Sequence, residues 1–222
     1  MPFLFSNLLT KSLWHGRKLL TIRTLSANGL YIDHSGAASQ KDACEMKFGV
    51  VGHKAVAAQA MLNDSLNGHP GRIAGGVNLD STNYGAVLTE GMGSGKKFFM
   101  LWDNIDHNSL PGPNNEPSFT QWWNITDQLD NRDWRVELSL ANSTTATFTD
   151  LPLLADISGL RQTDLSRIDS AFGTIDGVRS MSIETTYISD FFDMVLKGKK
   201  ETLLGGPSKA YPEVAFVRLE TS

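Results

Sequence analysis

The chain has 222 residues, of which 41% are hydrophobic and 20% charged, and its net charge is −4. These values are typical of a soluble globular domain with a full core, and the negative charge gives no electrostatic case for nucleic-acid binding. The single cysteine, Cys44, excludes an internal disulfide. No apolar run reaches the roughly 20 residues that a membrane-spanning helix needs.

The N-terminal segment has an unusual composition. Residues 1–32 contain no Asp or Glu, and four basic residues are spread among Leu, Ser and Thr. This composition is loosely typical of a transit peptide, but it is no convincing secretory signal, so the compartment stays unknown. We expect residues 1–46 to be separate from a domain at 47–222, with Leu19–Leu25 as the best strand candidate among them.

The next segment predicts a strand that turns at once into a helix. Phe48–Gly52 is apolar and β-branched, whereas Lys54–Leu62 is rich in Ala, Gln, Met and Leu. The two meet at His53 with almost no loop, which is the geometry of a nucleophile elbow. Such an elbow carries a serine at its tip, and no serine follows His53 here.

Further strands and helices alternate along the rest of the chain. Strands are predicted at Ile73–Asp80, Lys97–Trp102 and Trp134–Leu140, and helices at Phe119–Leu129, Phe148–Leu160 and Ile175–Leu196. A polar loop covers Asp103–Pro117, and a tail starts at Gly205. The alternation predicts an α/β fold with a mostly parallel sheet and helices on both faces.

Functional residues of such sheets collect where strands end, and this directs attention to His53 and Asp80. An Asp that closes an apolar strand is either a solvated strand end or the acid of a Ser-Asp-His triad. A triad histidine is expected after the last strand, but Ala141–Asp150 contains none. His107, in the polar loop, is interpreted as a packing residue.

Lys54 and the glycine-rich stretch before the third strand have ordinary explanations. An unperturbed lysine has a pKa of about 10.4, so Lys54 is expected to be a solvated residue in the first helical turn rather than a nucleophile. Gly91–Lys96 fails the spacing of a phosphate-binding loop, because Glu90 stands where that motif has glycine. It predicts a plain turn.

Several segments together resemble the platelet-activating-factor acetylhydrolase family, in particular its fungal and bacterial members. They are Gly49–His53, Ala57–Leu62, Gly75–Asp80, Phe148–Leu154, Gly173–Gly177 and Tyr211–Val214. The resemblance covers roughly residues 48–217. It implies an α/β-hydrolase that cleaves short acyl chains from phospholipid-like esters with a Ser-Asp-His triad and without metal or cofactor.

Set against that family, the chain keeps one triad position. Asp80 matches the acid, the stretch Ser-x-Gly-Gly is missing after His53, and Thr145 stands where the histidine is expected. The strands that precede the elbow in the family are also expected to be lacking. Because losing the Ser or the His of a triad costs on the order of a million-fold in turnover, we expect the polypeptide as written to be inactive.

Three interpretations stay open. The chain is an esterase known through a damaged or mis-spliced sequence, a catalytically dead pseudoenzyme with a binding or scaffolding role, or a plain α/β domain of no recoverable function. If it is active, its partner is a phospholipid-like ester. If the first strands are lacking, Phe48–Gly52 leaves an apolar unpaired edge, which predicts self-association.

Overall fold

The structure is a computed structural model that describes residues 12–15, 18–26, 29–32, 47–67, 71–80, 83, 85–103, 128–129 and 133–220. The chain divides into two units, Met1–Met46 and Lys47–Ser222. In the first unit, strands β1 (Ser12–His15), β2 (Lys18–Ser26) and β3 (Gly29–Ile32) form an antiparallel sheet in the order β1-β2-β3. The strand predicted at Leu19–Leu25 is therefore confirmed, and it pairs on both sides within its own sheet.

The second unit is built on a five-stranded sheet in the order β4-β5-β6-β7-β8. Its strands are β4 (Phe48–His53), β5 (Ile73–Leu79), β6 (Lys97–Asp103), β7 (Arg135–Leu140) and β8 (Val214–Glu220). The first four run parallel, and β8 pairs antiparallel with β7. The mostly parallel sheet and its four predicted strands are confirmed.

The last strand corrects the sequence-based expectation of a tail after Gly205. In β8, residues alternate between more and less exposed positions along Val214–Glu220. The pattern Val-Ala-Phe-Val-Arg-Leu-Glu does alternate at its charged end, but its first four residues are all apolar. That run hides the period of two that identifies a half-buried strand.

The helices of the second unit cover both faces of the sheet. They are α1 (Val56–Leu66), α2 (Val87–Glu90), α3 (Leu151–Ile157), α4 (Leu160–Thr163), α5 (Leu165–Phe172) and α6 (Gly177–Lys197). On one face, Met61 and Leu62 of α1 pack with Phe98, Met100 and Trp102 of β6. Because successive side chains of a strand point to opposite faces, the intervening residues of β6 face α6 instead.

The apolar face predicted for the last long helix is confirmed. Ile183, Tyr187 and Phe191 of α6 are fully buried, and Val195 packs beside them against the core. Asp176 caps the helix by accepting a hydrogen bond from the N–H of Arg179 at 2.8 Å. Within the described residues, no helix is long and apolar enough to cross a membrane.

Two expectations for the segment between β7 and α6 were wrong. The single helix expected at Phe148–Leu160 is divided into a 3-10 helix at Thr145–Phe148 and the short helices α3 and α4, with Gly159 at a φ of +74° between the last two. Helix α5 was not expected. The predicted polar loop and the helix at Phe119–Leu129, with His107, lie almost entirely outside the described residues.

Candidate active site

Four parallel strands bring their carboxyl ends to one edge of the sheet, and the candidate site lies there. Strand β4 ends at His53, β5 is followed by Asp80, β6 ends at Asp103, and the 3-10 helix after β7 begins at Thr145. The two strand ends singled out in the sequence are adjacent, since His53 pairs with Leu79 in the β4–β5 ladder.

The elbow takes only two residues to pass from strand to helix. Lys54 has a φ of +61°, Ala55 follows, and α1 begins at Val56. A positive φ is uncommon for a residue with a side chain and marks a strained turn, which is the backbone position that an elbow gives to its nucleophile. Lys54 is therefore at the elbow tip rather than in the first helical turn, and its side chain is exposed as expected.

Two neighbours hold this turn closed. The Lys54 N–H donates a hydrogen bond to the Leu79 carbonyl at 2.7 Å. At Gly52, an added Cβ atom would lie 2.5 Å from the Cβ of Val56, so only glycine lets the strand and the helix approach this closely. The close approach inferred from the sequence is confirmed.

The side chain of Asn78, in β5, caps the start of α1, a role that sequence reasoning missed. Its buried Oδ1 accepts hydrogen bonds from the N–H groups of Ala57 at 3.1 Å and Ala58 at 3.3 Å. Its Nδ2 donates to Asn83 Oδ1 at 3.0 Å. The first N–H groups of a helix have no partner within it, so Asn78 satisfies two of them. The available signal was an amide inside an otherwise apolar strand.

Asp80 is buried at the centre of this edge, with 6% of its surface exposed and a φ of +52°. Burial raises the pKa of its carboxyl group above the ordinary value, and the nearby Asp103 carboxylate raises it further. A side-chain hydrogen bond with Thr145 and the charges of His53 and Lys54 act in the opposite direction. Desolvation outweighs these contacts, so the pKa of Asp80 is raised overall. A raised pKa is common among functional carboxyl groups.

The contact with Thr145 joins the two positions that the sequence pointed to. Thr145 is exposed at the start of the 3-10 helix, and its side chain lies close enough to Asp80 to act against the rise in the pKa of that carboxyl group. Asp103 joins the same cluster, although the sequence placed it at the start of a loop. It is 1% exposed and ends β6.

The segment that carries Thr145 is held by a network of short contacts. Thr144 and Thr147 cap the 3-10 helix reciprocally, and their hydroxyl groups donate to the carbonyls of Ala171 at 2.9 Å and Phe172 at 2.6 Å. The N–H of Ile175 donates to the Asn142 carbonyl at 3.0 Å.

Glycine is required where the two segments meet. An added Cβ at Gly173 would lie 2.3 Å from the Asn142 carbonyl oxygen, and one at Gly177 would lie 2.5 Å from the backbone of Leu153. The sequence motifs Phe148–Leu154 and Gly173–Gly177 therefore pack against each other and position Thr145 beside Asp80.

His53 completes the site from the β4 side. It is half-buried, and within the described residues its Nε2 atom has no hydrogen-bond partner. The structure thus brings His53, Lys54, Asp80 and Thr145 together. No group of three His, Cys, Asp or Glu side chains suited to a metal ion occurs among the described residues. In this arrangement a buried carboxyl group meets a hydroxyl and two basic side chains.

Comparison with known proteins identifies relatives. No family model matches the chain. A probable 1-alkyl-2-acetylglycerophosphocholine esterase of Arthroderma benhamiae is 33% identical over 174 residues, which cover 77% of this chain and 43% of that protein. A solved ferulic acid esterase from Streptomyces cinnamoneus matches with a TM-score of 0.59 and 28% identity, over 77% of this chain and 46% of its own. The chain spans less than half the length of either relative.

Proposed function

Because the chain is a homologue of esterases of the platelet-activating-factor acetylhydrolase type and has an α/β-hydrolase-like fold, we propose that its strand-end site belongs to an acetylhydrolase. In this proposal Asp80 is the triad acid, Lys54 occupies the elbow tip in place of serine, and Thr145 occupies the position of the histidine. The substrate class is that of the curated relative, short-chain acyl esters of glycerophospholipids. The polypeptide as written does not hydrolyse them.

The observation that carries the proposal is the proximity of the Thr145 side chain to Asp80, where it acts to lower the pKa of that carboxyl group. In a triad, the acid bonds the histidine, orients it and stabilises its cation. A threonine hydroxyl in that place keeps its proton at neutral pH, so it cannot act as the general base. The acid thus lies next to a group that cannot transmit its effect to a nucleophile.

The magnitudes favour inactivity over slow turnover. Loss of the triad serine or histidine costs on the order of a million-fold, and the effects of losing both are not additive. Each oxyanion donor is worth about 100- to 1,000-fold in addition. Asp80 cannot compensate for these losses, because orientation of a base has no value when the base is missing.

Binding without turnover is a second candidate function, and the packing around the site favours it. Backbone contacts support Lys54, Asp80 and the segment of Thr145, from the close approach at Gly52 in the elbow to that at Gly173 beside the 3-10 helix. A site that keeps its supporting contacts can keep its shape for a ligand. The candidate ligand is an acetylated glycerophospholipid.

Both parts of the proposal can be tested with one substrate and its amide analogue. We expect hydrolysis of a 2-acetyl glycerophospholipid to equal the rate in buffer for both the unmodified chain and the Asp80→Asn variant. We expect the non-hydrolysable 2-acetamido analogue to bind in calorimetry. Thr145→Trp should abolish that binding by filling the site, whereas Thr185→Trp, at an exposed threonine of α6, should not.

Two results would overturn the proposal. Turnover of the acetyl ester that disappears in Asp80→Asn would show an active site with a nucleophile other than the triad serine. Equal affinity of the amide analogue for Thr145→Trp and Thr185→Trp would show that any binding lies elsewhere.

A further inference from the structure

The outer edge of β4 is the second feature of the sheet with functional meaning. Strand β4 pairs with β5 on one side, and within the described residues it has no strand on its other side. Unpaired strand edges present a row of N–H and C=O groups that can pair with another chain.

The direction of each backbone group follows from the ladder. The N–H groups of Phe48 and Lys54 donate to the carbonyls of Arg72 and Leu79 on the β5 side. In a parallel pair, alternate residues bond to the neighbouring strand. The even-numbered residues of β4 therefore face β5, and Gly49, Val51 and His53 direct their N–H and C=O groups to the outer edge.

The chemistry of this edge suits pairing, in contrast to the opposite edge of the sheet. From Phe48 to Gly52 the strand carries no charged residue and no proline. Strand β8, at the other edge, carries Arg218 and Glu220. Charged side chains and prolines are the usual means by which an edge strand avoids association, so β8 has this protection and β4 lacks it.

We propose that β4 is a dimer interface at which a second copy of the chain adds its own β4 in antiparallel orientation. Only an antiparallel arrangement is self-complementary under two-fold symmetry, in which each contact occurs twice. Val51 pairs with Val51 of the second copy, and Gly49 pairs with its His53, so that each pair exchanges N–H and C=O groups in both directions.

Charge and packing agree with this register. The residues that pair in this register, Gly49 to His53, include no Lys, Arg, Asp or Glu, so the pairing places no like charges of these types opposite each other. At the start of α1, next to Gly52 of this strand, Val56 is 54% exposed, an apolar surface that a neighbouring chain can cover. The result is a continuous ten-stranded sheet with α6 of both copies on one face. A strand-only interface is small, so we expect a reversible dimer.

The test compares two substitutions at Val51. Val51→Pro removes the outward N–H, and a proline is tolerated on an edge strand when its nitrogen faces away from the ladder. Val51→Ala removes a comparable part of the side chain but keeps the N–H. By sedimentation from low to high micromolar concentration, we expect the unmodified chain and Val51→Ala to shift from 24.3 kDa towards twice that mass, and Val51→Pro to remain monomeric.

Hydrogen exchange keeps the test valid if Val51→Pro fails to fold. In the unmodified chain, the amides of Gly49 and Val51 should be protected at high concentration and exchange at least tenfold faster on dilution. Those of Val50 and Gly52, which bond β5, should be protected throughout. A monomer at every concentration would overturn the proposal, as would outward amides protected equally at all concentrations, which would show that another segment of the same polypeptide covers the edge.

Discussion

At the scale of single residues, Asp80 combines two features that cost stability. It holds a carboxyl group with a raised pKa in a buried position, and its backbone has a φ of +52°. Asparagine carries no charge and adopts this left-handed conformation more readily than most residues. A residue that lowers the stability of the fold is expected at a functional site, where its chemistry is needed.

Asp80→Asn should therefore stabilise the fold. When the pKa of a carboxyl group is higher in the folded state than in the unfolded chain, the free energy of unfolding falls as the pH rises above the unfolded pKa. We expect the free energy of unfolding at pH 7 to increase by about 1 kcal/mol, and this gain to shrink as the pH falls towards 4. Denaturant unfolding at both pH values measures it. A loss of stability at pH 7 would show that the charged carboxylate is well paired.

Thr145 should influence Asp80 directly. Its side chain acts to lower the pKa of that carboxyl group, so Thr145→Val should raise the pKa of Asp80 further. Thr145→Ser retains a hydroxyl and should leave that pKa near its starting value. Carbon-detected NMR titration of the Asp80 carboxyl group measures both. An unchanged pKa in Thr145→Val would remove the contact on which the proposed function rests.

At the scale of elements, the elbow depends on a cap from the neighbouring strand. Asn78→Ala would remove the acceptor of the N–H groups of Ala57 and Ala58, and it would also remove the hydrogen bond from Asn78 to Asn83. Loss of such a cap costs about 1–2 kcal/mol. Denaturant unfolding should show this loss, whereas Asn67→Ala, at the exposed end of the same helix, should stay within about 0.5 kcal/mol. Equal effects would contradict the capping role.

If the chain lacks Ser-x-Gly-Gly relative to its family, as proposed above, the geometry of α1 accounts for how the elbow keeps its packing. Four residues are close to the 3.6 residues of one helical turn. Removing them shortens the helix by about a turn and rotates its face only slightly, so Ala57, Ala58, Met61 and Leu62 remain buried. The tip position then passes to Lys54, which the sequence alone assigned to the helix.

Sequence patterns predicted the elements with strong periodicity and failed where tertiary contacts determine where an element begins or ends. The apolar strands and the four-residue repeat of α6 were predicted because burial imposes those periods. The break between α3 and α4 depends on Gly159, whose positive φ is set by the structure around it. Helix α5 carries a short apolar stripe of Leu165, Ile168 and Phe172, but it has only eight residues and buries none of them fully, so the stripe gave too little signal.

The same limit applies to the site. The sequence singled out Asp80 because it closes a strand, and Thr145 because a motif surrounds it. Asn78 and Asp103 were missed because their roles arise from neighbouring strands that are distant in sequence. The motif of Gly173–Gly177 had no assigned role until its contact with Asn142 was visible.

At the scale of the whole molecule, we expect Glu184 of α6 to contribute strongly to the pH dependence of the free energy of unfolding. Burial, and the nearby Asp150, raise the pKa of Glu184 in α6 to about 8, from 4.5. Between these values the folded state binds a proton that the unfolded chain releases, so the free energy of unfolding falls as the pH rises.

Glu184→Gln should remove this dependence. We expect the variant and the unmodified chain to have similar stability near pH 4.5, and the variant to become the more stable one up to about pH 8. The difference should grow by at most about 1.4 kcal/mol per pH unit. Glu201→Gln, outside α6, is the control and should leave the slope unchanged. Parallel stability curves for Glu184→Gln and the unmodified chain would show that Glu184 is ionised in the fold.

Labelling with a fluorophosphonate probe tests the central claim most directly, because the probe reacts with an activated serine whatever its position in the chain. The probe is added to the purified 222-residue chain, and any adduct is mapped by mass spectrometry. The account predicts no stoichiometric adduct and no difference between the unmodified chain and Asp80→Asn. Stoichiometric labelling of one serine that is lost in Asp80→Asn would contradict it and would identify a nucleophile served by this carboxylate.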